Sequence, residues 1–184
     1  FLYVNMTSVP GYTVQTGDVL YYDVMWRETG DVIAVDLSDG TTNLRDQGAM
    51  DQNGYGAHPA TAIPDSLVLN RWYRRRISLT TMVGKALTQY MVACENDTTG
   101  SFTGFIANAV ILGSDGSLRV TIFDQTSATI TTSTVSDGNA GVNGFTLTRQ
   151  SVFDYGPIRK PLAGVLTALN VYRGDGINNG LVAA

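Results

Sequence analysis

Apolar and polar residues alternate, or run apolar on both faces, in short segments separated by turn residues, the pattern of β-strands. Residues 19–26 are apolar on both faces, which predicts a central strand. Residues 32–37 follow the Thr29-Gly30-Asp31 turn, and residues 72–79, 86–95 and 102–112 predict three more strands. Asp115-Gly116 turns the chain into a strand over residues 118–124. Residues 128–135 and 144–149 predict a hairpin around Asp137-Gly138-Asn139. The Thr/Ser-rich stretch over residues 126–136 reads as an exposed edge strand, with an O-glycosylated surface as the alternative. Ile158, Leu162, Val165, Leu169 and Tyr172 fall at helical spacing, yet Pro161 and Gly164 interrupt them, and we read residues 165–172 as a strand. Residues 39–66 break the pattern: this 28-residue stretch is poor in apolar residues and rich in Asp, Asn, Gly and Pro. It predicts a long functional or metal-organised loop.

Many short strands with little helix predict an all-β sandwich or barrel. At 184 residues the chain is most simply one domain. Only 15% of its residues are charged and 20 are Gly, a balance that favours strands and turns over helices. The net charge of −4 argues against a nucleic-acid partner, which needs clustered cations. The one basic cluster is Arg71-Trp72-Tyr73-Arg74-Arg75-Arg76 at a strand start, and we expect these arginines to pair with nearby carboxylates. Cys94 is the sole cysteine and lies in an apolar strand, so we expect a buried inert thiol and no intrachain disulfide. No stretch approaches the ~20 apolar residues of a membrane span. The chain starts at Phe1 without a signal peptide, as a processed or a trimmed chain would.

Several segments, in order, resemble the lamin-G-like or carbohydrate-binding-module jelly rolls of secreted bacterial proteins. They are Gly17-Asp18-Val19-Leu20-Tyr21-Tyr22-Asp23-Val24, Asp36-Leu37-Ser38-Asp39-Gly40-Thr41 and Leu44-Arg45-Asp46-Gln47-Gly48-Ala49-Met50-Asp51-Gln52-Asn53-Gly54. Further on come Arg71-Trp72-Tyr73-Arg74-Arg75-Arg76-Ile77-Ser78-Leu79, Gly84-Lys85 and Gly100-Ser101-Phe102-Thr103-Gly104-Phe105-Ile106-Ala107-Asn108-Ala109-Val110-Ile111. The resemblance covers residues 17–112 and implies a jelly-roll β-sandwich of two antiparallel sheets with a structural calcium site. It also implies an extracellular or cell-surface location. Such families often carry an acid where this chain has Asn108, whose amide oxygen can still serve a cation. With it, the chain divides into an N-terminal strand arm (1–10), a jelly-roll core (11–112) and additional N- and C-terminal strands, the latter within 113–184.

Candidate chemistry is sparse. Asp39, Asn43, Asp46, Asp51 and Asn53 lie in one Gly-rich loop, and Glu95, Asn96 and Asp97 form a second oxygen cluster. Calcium takes six to eight such oxygens, so we expect a structural calcium bound by Asp39, Asn43, Asp46, Asp51, Asn53, Glu95, Asp97 and Asn108. The alternative is a solvated loop held by Asx turns and ion pairs to the arginines. Trp26, Trp72 and Tyr90 sit in apolar strands and read as core. Tyr55 and His58 lie in the polar loop, where they are the candidates for contacting a sugar. His58 is the only histidine, and neither a nucleophile elbow, a phosphate loop nor zinc spacing is present, so we expect no enzyme. Asn5-Met6-Thr7 and Asn96-Asp97-Thr98 fit the N-glycosylation triplet at Asn5 and Asn96.

The N-terminal Phe1-Leu2-Tyr3-Val4-Asn5-Met6 is apolar and strand-forming, and it precedes Val9-Pro10-Gly11. Such a strand, through Phe1, Leu2, Tyr3, Val4 and Met6, either completes its own sheet or crosses into a neighbouring copy. Head-to-tail crossing does not close and builds a filament. The expected function is therefore a non-enzymatic extracellular structural subunit that self-associates into a homopolymer. The alternative is a calcium-stabilised carbohydrate-binding or adhesive module with glycan partners.

Overall fold

A computed structural model describes residues 2–26, 31–63, 67–96, 104–123 and 132–136. Its strands are β1 (Leu2–Met6), β2 (Tyr12–Thr13), β3 (Val19–Trp26), β4 (Asp31–Ser38) and β5 (Trp72–Ser78). They continue with β6 (Ala86–Leu87), β7 (Gln89–Asn96), β8 (Gly104–Leu112), β9 (Leu118–Phe123) and β10 (Thr132–Ser136). Short 3-10 turns fall at Leu44–Gln47, Pro59–Thr61 and Thr80–Met82. No helix among the described residues is long and apolar enough to cross a membrane. The expected segments over residues 144–149 and 158–172 lie outside the described residues, as do Phe1 and Asp97.

Among the described residues the strands form two four-stranded antiparallel sheets, ordered β10-β1-β7-β4 and β5-β3-β8-β9, with a small β2-β6 pair beside them. Strand β3 is central, as its apolar faces predict, and Tyr22 to Trp26 are all buried. Strands β3 and β4 belong to different sheets. The stretch expected as one strand over residues 86–95 breaks at Thr88, whose N–H donates to the Ser38 carbonyl. Of the stretch read as an exposed edge strand over residues 126–136, the described part is β10, which pairs only with β1 among the described residues.

Inward-facing residues of both sheets meet in one core. Leu20, Tyr22, Val24 and Trp26 of β3 pack with Ile33, Val35 and Leu37 of β4 and with Tyr90 and Val92 of β7. Each such side chain contributes about 1.5–3 kcal/mol by leaving water. The Trp26 ring meets Tyr73 edge to face at 5.6 Å. Trp72 and Tyr90 are buried too, as their strand context predicts.

The long connection after β4 binds both sheets. Leu44, Ala57, Pro59 and Ala62 are buried, and Ala62 packs on Ala34 at the outer face of the β4 sheet. Further along, Asp51 bridges to Ile77 of β5. The Gln52 side chain donates to the Arg74 carbonyl and accepts from the Arg76 N–H, so an amide covers this edge strand as a backbone would. Burial and strand-edge bonds thus hold a loop whose composition promised little of either.

Candidate functional site

Strand β1 is the first strand of the chain, yet it lies inside its sheet, paired with β7 on one side and β10 on the other. Leu2, Tyr3, Val4 and Asn5 are register partners of Cys94, Ala93, Val92 and Met91. Leu2 to Met6 run against Ser136 to Thr132 on the other side. The ladder to β7 ends at Asn5, whose side-chain oxygen accepts the Tyr90 N–H at 2.9 Å. That amide is part of the sheet, and this is where the structure places the glycosylation triplet at Asn5.

The two faces of β1 are both used. Met6 enters the shared core, while Tyr3 is buried on the opposite face against Met91 and Ala93. The Arg45 guanidinium lies 4.2 Å from the Tyr3 ring centroid. Arg45 is fixed in turn by Asp36 of β4, which accepts from its Nη1 and from its backbone N–H. Asp36 is 1% exposed. Burial pushes its carboxyl up from the ordinary range, and Arg45 with the Leu37 N–H pulls it back. After β1, Tyr90 donates its hydroxyl to the Pro10 carbonyl and so ties the exit of the arm to β7.

The loop acids expected to hold calcium are otherwise engaged. Asp39 accepts the Thr41 and Thr42 N–H groups and the Thr41 hydroxyl, and those backbone bonds hold its carboxyl well below the usual range. Asn43 donates to Asp46 at 3.0 Å, and Asp46 faces Arg45 at 3.7 Å. Asp51 accepts the Asn53 and Tyr55 N–H groups and pairs with Arg75 at 2.9 Å, both side chains being buried. Asn108 sits at φ 53° in a bulge of β8 opposite β3 and donates to Asp23, which also pairs with Arg74. Among the described residues no three His, Cys, Asp or Glu side chains gather closely enough to hold a metal. At Asp51 the neighbouring positive charge is the Arg75 guanidinium. Glu95 and Asn96 belong to β7.

The sugar-contact candidates also serve the loop. The Tyr55 carbonyl accepts from Arg75, and His58 Nδ1 accepts the Ala60 N–H to cap the Pro59–Thr61 turn. Two arginines of the cluster pair with carboxylates, Arg74 with Asp23 and Arg75 with Asp51, while Arg71 and Arg76 lie over the Tyr73 and Tyr21 rings. The Arg45–Asp36 pair was not anticipated. The available signal was Asp36 itself, a lone acid in an apolar strand that needs a buried partner.

No protein-family model matches the chain, and no curated protein matches it.

Proposed function

We propose that the chain is an extracellular structural subunit that joins copies of itself by exchanging β1. The sheets would form a jelly-roll-type sandwich, a reading supported by consecutive strands that cross between them, β3 to β4, β4 to β5 and β7 to β8. The observation that carries the proposal is the place of β1: it is held between β7 and β10 rather than at an edge, and the short segment 7–11 joins it to β2. The slot between β7 and β10 offers an incoming strand the same ladders and pockets that β1 uses, so exchange costs no native contact. Residues 7–11 connect β1 to β2 and span at most ~20 Å, so an exchanged arm seats in an adjacent copy. Each copy then gives one arm and receives one, and repetition of that head-to-tail step makes a filament.

A single substitution tests it. Leu2 is the register partner of Cys94. A Leu2→Cys chain can therefore close a disulfide across β1 and β7. In exchanged copies oxidation gives a covalent ladder on a denaturing gel, matching fibres seen by electron microscopy. Intrachain product alone, running as monomer, would refute the proposal.

A further inference from the structure

Resting on the exchange reading, we propose that the Arg45–Asp36 clamp over Tyr3 is what selects and registers the incoming strand, and that this strand is residues 2–6 of a second copy. On the outer face of the sheet, register aligns Tyr3 of β1 with Ala93 of β7 and Ala34 of β4. Two alanines in that row leave room above the strands, and both are fully buried. The Tyr3 ring packs beside Ala93 and Met91, and Arg45 stacks on it. The next row on that face aligns Asn5, Met91 and Asp36, and Asp36 holds Arg45 from below.

A β-strand presents alternate side chains to opposite faces, so a slip of one residue reverses all of them. Slippage would take Tyr3 from beneath Arg45 toward the inner core and bring Met6 to the outer face. It would also move the Asn5 side chain away from the Tyr90 N–H that it caps. The clamp is held from outside β1, because Asp36 and Arg45 belong to β4 and the connection after it. It therefore stands ready in the acceptor to test whichever strand arrives. The strand it fits has an aromatic ring at the position of Tyr3 and an apolar residue three positions on, as this chain's own N-terminus does.

The test uses the full chain carrying Leu2→Cys, with a second substitution at Tyr3. Tyr3→Leu keeps an apolar side chain and the fold but removes the ring that Arg45 meets, and Tyr3→Phe keeps the ring. The expected result for Tyr3→Leu is about a tenfold fall in disulfide yield, in ladder and intrachain product alike because both seat the strand on the same contacts, within the range of a desolvated cation–π contact, and little change for Tyr3→Phe. Circular dichroism confirms that each variant is folded. Arg45→Lys gives a second reading: it retains a cation for Asp36 but loses the flat stacking surface, so the ladder falls again. A normal ladder in both Tyr3→Leu and Arg45→Lys would overturn the clamp while leaving exchange in place. Only intrachain product in the Leu2→Cys parent would overturn exchange itself, and with it the second copy as occupant.

Discussion

Removal of the Asp51 carboxylate should be among the most damaging single changes to this fold. The Arg75 side chain is 2% exposed and that of Asp51 is 3% exposed. Arg75 Nε donates to Asp51, Nη1 to the Tyr22 hydroxyl, and Nη2 to the Tyr55 and Gly56 carbonyls. Asp51→Ala leaves those neutral acceptors but strips the only charged one, and the guanidinium stays buried and uncompensated. Breaking a buried pair this way costs about 3–5 kcal/mol. For a chain of this size that lowers the melting temperature by roughly 6–20 °C. Asp51→Leu combined with Arg75→Met should recover most of the loss, since neither charge then remains buried. Urea denaturation followed by circular dichroism measures all three chains, in millimolar EDTA and again in millimolar calcium. Equal losses in the two buffers are expected, because Arg75 and not an ion neutralises Asp51. A loss under about 1 kcal/mol, or one that appears only in calcium, would refute the reasoning.

Further outcomes follow at Tyr12, Tyr90 and Asn108. Burial, with a hydrogen bond to Asp18 at Tyr12, pushes the Tyr12 phenol up to about 12, and burial does the same at Tyr90. Both phenols hold their protons more tightly folded than unfolded, so stability is whole below pH 10.0 and is lost as pH climbs toward about 12. Denaturation across that range should show the decline, and Tyr90→Phe should make it shallower. Asn108→Asp places a second carboxylate beside buried Asp23, which should cost about 2 kcal/mol at neutral pH and recover as acid protonates one of the pair. Asn108→Gly should cost only about 1 kcal/mol, because it loses the hydrogen bond but relieves the positive φ.

Strand positions were legible because face alternation is written locally. Residues 19–26 were delimited to the residue, and the expected strands over 32–37, 72–79 and 118–124 each end within one residue of those observed. Strand partners were not legible, since periodicity tells a residue which face it occupies and not which neighbour it meets. The Thr29-Gly30-Asp31 turn signals a reversal equally well for a hairpin and for a crossing between sheets. The missed clamp has the same origin. Asp36 announces a need for a cation, but Arg45 is one candidate among several until the loop is folded back over β4. Asn108 was read for its oxygen, whereas its place is set by backbone: asparagine tolerates the left-handed conformation that the bulge requires.

The loop and the N-terminal strand can then be understood as one device. Residues 39–63 carry too few apolar groups to fold alone, and their charged anchors include two that are largely buried, Arg45 on Asp36 and Asp51 on Arg75. The second anchor ties the loop to β5 and leaves it indifferent to whether β1 is in place. The first anchor places a guanidinium directly on a β1 side chain. If β1 leaves, Arg45 keeps Asp36 but loses the ring, and β10 loses the only partner it has among the described residues. An empty slot would therefore combine a stacking face without its ring, an unpaired edge on β7 and a free β10. All three are satisfied at once by a strand of the same sequence, from the same chain or from the next. What decides between the two is the ~20 Å reach of residues 7–11 and the concentration of neighbours, not any difference in the contacts made.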